Sequence, residues 1–292
     1  IKCINEIIEL INKSKFLLPF THKRYIQKRF YHQHGYEVDL EKPTTFSEKI
    51  QWLKLYGPLH QYTNYVDKYE VRSYVKQIIG ERYLIPNIGV YDNVNKVDIN
   101  SLPEKFIIKA THGCGWNLVV KDKSKLDWNV TKKKINKWIK SNYFYLSGER
   151  NYYKINGRII IEEFIEDKEG DLKDYKFYCF HGEPKFIMVN IDTNKSRKAF
   201  FDTEWNRLSM NMHQSHSSNS VLKPYHLDEM LDVCRKLSGK FPLVRVDLYY
   251  TEGRIYFGEL TFTPGNGFNK FSHKKYDLLF GEQLHLSKVV NE

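Results

Sequence analysis

Cysteine is scarce in this chain and poorly spaced for chemistry. The four residues, Cys3, Cys114, Cys179 and Cys234, include no C-x-x-C pair. That argues against a zinc site and against a disulfide framework, and makes the reducing cytosol the expected compartment. Long hydrophobic runs are missing too. None approaches the roughly 18 residues that span a bilayer, and no secretory signal peptide is expected. No internal repeat is visible. A short D-x-D motif, which a glycosyltransferase using a sugar nucleotide would want for its metal, is absent; Asp167 and Asp171, for instance, stand too far apart. Carboxylates are in deficit: 35 Asp and Glu against 46 Lys and Arg leave a formal charge of +11. Anionic partners are therefore favoured, with nucleic acid, membrane surface, nucleotide and acidic saccharide all qualifying. The 292 residues suffice for one large domain or two smaller ones with real cores.

What is present is concentrated in the run from Val244 to Gly267. Val244, Val246 and Leu248 alternate with Arg245, Asp247 and Tyr249, the turn signal Thr251-Glu252-Gly253 follows, and a second strand-like run holds Ile255, Phe257 and Leu260. The pattern predicts a β-hairpin. Pairing then brings Asp247 and Glu259 together beside Arg245. Two carboxylates so placed suit one or two Mg²⁺ ions carrying substrate phosphates, and the Arg supplies a fixed cation for charge developing on a transferred phosphoryl group. Pro264-Gly265-Asn266-Gly267 makes a turn whose backbone N–H groups can converge on an anion. A surface hairpin with solvated charges is the plain alternative for either carboxylate taken alone.

Other elements are legible in order. Residues 1–14 pattern as an amphipathic helix, with Ile4, Ile7, Ile8 and Ile11 on one face. Residues 22–34 are basic and aromatic, either a solvated helix face or a contact for acidic glycan or lipid headgroups. Thr45-Phe46-Ser47-Glu48 is a capping box ahead of a helix over 46–56. A helix over 66–79, ended by Gly80, has Lys68 at its start, where a cation opposes the helix dipole and a nearby phosphate would account for it. Strand 105–110 carries Lys109 and runs into Thr111-His112-Gly113-Cys114-Gly115-Trp116-Asn117, with a return strand over 118–120. Glycines between two strands allow backbone N–H groups close to an anion; no helix follows them, so this is no dinucleotide fingerprint. His112 and Cys114 show no readable nucleophile arrangement. Residues 129–142 predict a helix with Val130, Ile135, Trp138 and Ile139 inward, and 145–157 a loop. Residues 158–165 read as a buried strand ending in Glu162-Glu163-Phe164-Ile165. Residues 174–182 alternate and Glu183-Pro184 turns into a second strand over 185–189, a hairpin with Asp174 and Lys176 on one strand face, and 226–239 reads as a helix. Residues 211–224 read as a loop, in which nothing else supports a metal role for His213 and His216.

The R-x-D…E-x-x-x-T-P-G-x-G run resembles the metal-binding end of the ATP-grasp superfamily. The stretches EKPTTFSEKIQWLKLY at 41–56, VDKYEVRSYV at 66–75 and YLIPNIGVYD at 83–92 resemble the TupA-like, teichuronopeptide-biosynthesis branch, and the likeness continues to about Asp277. That resemblance implies ATP and Mg²⁺ as cofactors. Asp247 and Glu259 would hold the metal, with Thr261 standing where many members carry an Asn ligand. Lys68 and Lys109 would contact phosphates, and the loop His112, Gly113, Cys114 and Gly115 would cover them. Glu162, Glu163, Phe164 and Ile165 would meet the adenine, and Asp174 the ribose. Lys176 and Arg245 would act at the reacting phosphoryl or acyl group. Arg197, Lys198, Gly265, Asn266 and Gly267 are candidate contacts for the acid substrate, with Lys195 beside them.

The expected fold is α+β: a helical N-terminal segment (1–66), then two lobes (67–163 and 164–292) that grip ATP between them. The implied reaction is carboxylate–amine ligation through an acyl phosphate. The implied substrates are a uronic acid of a surface polysaccharide and an amino acid. Nucleic acid is not expected as a partner, while peripheral contact with membrane or glycan machinery is compatible with the charge. The rivals are a phosphotransferase on the same fold, a glycosyltransferase, and a non-catalytic binder of acidic polymer or nucleic acid, whose affinity would fall steeply with salt.

Overall fold

The structure is a computed structural model that describes residues 18–167, 172–191, 197–211 and 221–290. The expected helix at 1–14, Lys195, His213 and His216 lie outside the described residues.

Helix α1 (Leu18–His34) carries no carboxylate and buries Ile26 and Phe30. Helix α2 (Phe46–Tyr56) begins as its sequence predicts. Thr45 Oγ1 accepts from Glu48 N, and the Glu48 carboxylate returns to Thr45 N at 3.0 Å, a reciprocal cap. The first turn of α2 is tied to the C-terminal region. Asp277 accepts from Ser47 N and Oγ, and Lys49 Nζ donates to the carbonyls of Gly281 and Leu284.

The helix expected over 66–79 is two helices, α3 (Thr63–Val66) and α4 (Val71–Ile78). The break has a local cause. The Asp67 carboxylate accepts from Tyr69 N and Glu70 N, the side-chain turn that competes with helix. Lys68 therefore sits on a turn between helices, not in a helix's first turn.

Two antiparallel sheets follow. The first is ordered β1-β4-β2-β3, from β1 (Asn87–Tyr91), β2 (Phe106–Ala110), β3 (Asn117–Val120) and β4 (Ile159–Glu163). Between β3 and β4 lie α5 (Trp128–Lys140) and the short α6 (Phe144–Ser147). On α5 the inward positions are Thr131, Ile135 and Trp138, while Val130 is 61% exposed; one step along a helix rotates a side chain by about 100° off the buried stripe. The tract expected as a loop at 145–157 holds α6 and is anchored by Phe144, Tyr152 and Ile155, which join the largest core.

The second sheet is ordered β7-β6-β5-β8-β9, from β5 (Asp174–Phe180), β6 (Glu183–Asn190), β7 (Lys198–Phe201), β8 (Leu243–Thr251) and β9 (Arg254–Thr261). Period-two alternation splits its strands between two faces. One face presents Phe177, Cys179, Ile187, Val189, Val244, Val246 and Leu248 to a core that includes α7 (Leu227–Ser238) and residues of α3 and α4. The other presents Tyr178, Phe186, Met188 and Phe200 to α2 and to α8 (Lys274–Gln283). A short α9 (Ser287–Val290) closes the described chain. The N-terminal helix α2 is thus built into the core of the second sheet, whose same face also carries the polar residues considered next. Among the described residues no helix is long and apolar enough to cross a membrane.

Candidate active site

Register assembles the site on the second sheet. Lys176 pairs with Asp247, and Asp247 with Glu259, so these three lie in one row across β5, β8 and β9. One row further, Tyr178 pairs with Arg245 and Arg245 with Thr261. On the other side Asp174 pairs with Asn190, and Asn190 with Lys198. Directly opposed residues of antiparallel strands point to the same face, so one sheet surface carries the acids, the lysines and the arginine together. A bulge after Asp247, where Gly258 is the extra residue on β9, ends the row.

The side chains interlock. Arg245 Nε and Nη2 hold the two Asp247 oxygens at 2.6 and 2.8 Å, and Nη2 also reaches Glu259 Oε1 at 2.9 Å and Thr261 Oγ1 at 3.0 Å. Thr261 donates to Glu259 Oε1 at 2.9 Å. Lys176 Nζ bonds Asp247 Oδ2, and lies 2.8 Å from Asp174 Oδ2, which accepts from Asn190 Nδ2 as well. Burial pushes the Glu259 carboxyl up, but Arg245, Lys176 and Lys68 outweigh it and hold it at about 2. Burial weighs against the Lys176 charge, and Asp247 with Asp174 override it, so Lys176 remains a cation well above its ordinary range. Glu259 is thus held ionised among fixed cations, while burial pushes the Asp247 carboxyl above its usual range against the pull of Arg245 and Lys176.

The first sheet supplies the opposing wall. Lys109 Nζ donates to Glu162 Oε2 at 2.7 Å, and Arg72 Nη1 of α4 holds Glu162 Oε1 at 3.0 Å. Arg72 also reaches the Ile85 carbonyl. Lys68 Nζ donates to the Gly113 carbonyl at 2.5 Å and its N–H to Thr111 O, which ties the interhelical turn to the glycine loop. Burial pushes the Cys114 thiol at the loop tip up, as does Glu259, against the pull of Lys68 and Arg245.

Several expected residues sit differently from the rest. The His112 imidazole is buried and bonded through Nε2 to the Trp138 carbonyl at 2.8 Å, and burial lowers its pKa. It faces the core packed on the first sheet, leaving its backbone to the loop. The Glu163 N–H is taken by Pro86 O, so this N–H is already bonded within the protein. Phe164 lies under Lys121, with Nζ 5.9 Å from the ring centroid. Arg197 and Lys198 stand at the far edge, Lys198 on the same face as Asp174 but two strands away, on the order of 9 Å at ordinary strand spacing. Gly265 and Asn266 both take left-handed backbone conformations, as does Gly267; the Asn266 N–H is held by Thr263 O and the Phe268 N–H by Gly265 O.

Residues absent from the sequence reading also belong here. Arg72, the second partner of Glu162, is one. Glu149 is another: buried in the 145–157 tract, it accepts from Thr263, two residues beyond Thr261. Gln51 Nε2 reaches the Asn266 carbonyl at 3.0 Å from α2.

Does this donor set suit a magnesium nucleotide? Carboxylate oxygens on adjacent strands, backed by Lys176 and Arg245, are what a hard cation and its phosphates require. Among the described residues no three His, Cys, Asp or Glu side chains are grouped to hold a metal unaided. An ion at Asp247 and Glu259 would therefore complete its shell with phosphate or water, the ordinary habit of Mg²⁺.

Two antiparallel sheets, a glycine loop over the gap and a carboxylate pair on the last hairpin define an ATP-grasp protein. The chain belongs to the TupA-like ATP-grasp family, whose model matches residues 48–285. Solved structures similar to it include the D-alanine–D-alanine ligase from Bacillus anthracis complexed with ATP, at 10% identity over 84% of this chain and 71% of that one, with a TM-score of 0.45. The D-alanine–D-alanine ligase from Helicobacter pylori is 17% identical over 82% and 68%, TM-score 0.44. An L-amino acid ligase from Bacillus licheniformis is 13% identical over 91% and 56%, TM-score 0.43. None of the curated proteins matches the chain.

Proposed function

We propose that this protein is an ATP-dependent carboxylate–amine ligase working in the cytosol. The observation that carries the reading is the row Lys176–Asp247–Glu259 with Arg245 beside it. Asp247 and Glu259, with Thr261 near them, would hold Mg²⁺, which when bound neutralises the β- and γ-phosphate oxygens. Lys109, Lys68 and the glycine loop cradle the triphosphate. Glu162 to Ile165 receive the adenine, Asp174 the ribose hydroxyls, and Arg245 with Lys176 the transferring group.

The chemistry follows from those positions. A substrate carboxylate oxygen attacks the γ-phosphorus, the bond to the ADP oxygen breaks, and Arg245 and Lys176 stand where negative charge builds. The acyl phosphate is then attacked by an uncharged amine nitrogen. Its C–O bond breaks, phosphate leaves with the former carboxylate oxygen, and the nitrogen loses a proton to give the amide. Holding both partners against the row removes most of the entropic barrier. The acid is proposed to be a uronic acid of a surface polysaccharide and the amine an amino acid. An excess of eleven positive charges supports a polyanionic acid.

Purified protein offered ATP, Mg²⁺ and a panel of uronic acids and amino acids should release phosphate only when an acid and an amine are both present. The product should be lighter by one water than their sum. Release of ADP with a phosphorylated acceptor and no amide would replace this reading with the phosphotransferase.

A further inference from the structure

A fully buried lysine lies behind the turn Pro264–Gly267. Lys54, on α2, is 0% exposed. A buried ammonium is costly unless something requires it. Its Nζ meets Gln51 Oε1 at 3.1 Å, the Asn266 carbonyl at 3.5 Å and the ring of Phe268 at 4.7 Å from the centroid. Gln51 Nε2 takes the same Asn266 carbonyl at 3.0 Å. Gln51 and Lys54 are thus one unit, in which the amide oxygen orients the ammonium and both donors converge on one acceptor.

That acceptor belongs to an unusual piece of backbone. Gly265, Asn266 and Gly267 have φ of 60°, 56° and 68°. A left-handed Asn is uncommon, and three such residues in succession are costly without external support. Support arrives from two sides. From α2 come the two donors to the Asn266 carbonyl, and Gly267 packs so closely that a Cβ there would run into Gln51 Nε2 and Ile50. From the 147–149 segment, Ser147 O accepts from Asn266 Nδ2 at 2.9 Å and Glu149 accepts from Thr263 Oγ1.

We propose that Lys54 and Gln51 are positioning residues that fix the turn Gly265–Gly267, and through it the carboxylate of the acid substrate. Pulling the Asn266 carbonyl back toward α2 fixes the Asn266–Gly267 peptide plane, and with it the turn whose Asn266 and Phe268 N–H groups are bonded internally to Thr263 O and Gly265 O. The idea rests on the assignment of this turn to the acid substrate under the proposed function. Burial holds the Lys54 ammonium down to about 7, with Glu149 pulling it up and Arg29 of α1 pushing it further down. A site that only needed filling would be served better by an apolar side chain.

That contrast supplies the test. In the whole chain, Lys54→Met keeps the length and shape of the side chain and removes the donors; Gln51→Leu does the same from the other end and stands in if Lys54→Met does not fold. Two readouts are needed. Amide exchange at Asn266 and Phe268, followed without any substrate, should quicken at least ten-fold while exchange in β5 and β8 is unchanged. In turnover with ATP, glycine and the uronic acid on which the parent is active, KM for the acid should rise at least ten-fold. KM for ATP should stay within two-fold and the melting temperature should not fall in Lys54→Met. Unchanged exchange at the turn overturns the clamp itself. Faster exchange with an unchanged KM for the acid overturns the positioning role and shows that the turn does not face the acid, while the ATP site stands. A parallel rise in both KM values would mean general loosening and overturns it too.

Discussion

Asp247 and Glu259 face each other directly across β8 and β9, and the guanidinium of Arg245, two residues before Asp247, touches both. Strand periodicity forces this relation: Arg245 and Asp247 share a face, and the register sets Glu259 opposite the acid and Thr261 opposite the arginine. Without the Asp247 charge, Lys176 still has Asp174 as a partner and Arg245 still has Glu259 and Thr261.

Asp247→Asn should therefore keep the protein folded and abolish turnover. The amide is isosteric and still accepts from Arg245, but it is a poor ligand for a hard cation. ATP consumption below a thousandth of the parent rate, with an unaltered circular dichroism spectrum, is the expected result. Undiminished ATP consumption would remove the metal assignment.

Lys109→Met should weaken ATP binding without unfolding the first sheet, because Glu162 keeps Arg72 as a partner. Loss of a charge-assisted contact costs about 1.5–3 kcal/mol, roughly ten- to a hundred-fold in affinity. Calorimetry should show that loss for Lys109→Met and a smaller one for Lys68→Met. Equal affinity of Lys109→Met and the parent would end its role as a phosphate ligand.

Arg72 acts at one remove. Its contact with Glu162 holds the carboxylate between α4 and Lys109. With Arg72→Met, Glu162 is free to turn wholly to Lys109 and draw it from the phosphates. An ATP affinity weaker by about 1 kcal/mol, roughly five-fold, with kcat at saturating ATP unchanged, is expected from titration and steady-state kinetics.

Lys54 makes stability depend on pH in a definite direction. Its folded pKa, about 7, lies below its ordinary 10.5. Between those values the unfolded chain binds the proton and the folded chain does not, so stability rises with pH through that window. Below about pH 7 both states are protonated and the cost of burying the charge is felt in full. Chemical denaturation from pH 6 to 9.5 should show the parent gaining stability relative to Lys54→Met, with the curves closest at the alkaline end. A constant difference across that range would contradict the shift.

What the sequence revealed and what it hid have different physical scales. Asp247, Glu259 and Arg245 were legible because a hairpin is local: alternation, a Glu-Gly turn and a short separation leave little freedom in register. The reciprocal Thr45–Glu48 cap was legible for the same reason. Lys109 could be placed on its strand, but its bond to Glu162 crosses between β2 and β4, and Arg72 arrives from a helix that no pattern ties to Glu162. Asp67 breaks the predicted helix because one side chain captures two backbone N–H groups, a contest that apolar periodicity does not register. His112 looked like a loop residue among glycines, yet its ring turns inward to Trp138. The Lys54–Gln51–Asn266 unit was invisible, since a lysine three positions after a glutamine on an amphipathic helix reads as a solvated face until the chain returns from more than two hundred residues away.

Ligation through an acyl phosphate requires that a carboxylate oxygen leave with the phosphate. The most direct measurement carries out turnover with the substrate carboxylate labelled with oxygen-18, ATP unlabelled, and the amine present, and weighs the inorganic phosphate released. Ligation through an acyl phosphate transfers one labelled oxygen into each phosphate formed from fully labelled acid. Phosphate without label, accompanied by a stable phosphorylated acceptor, would contradict it.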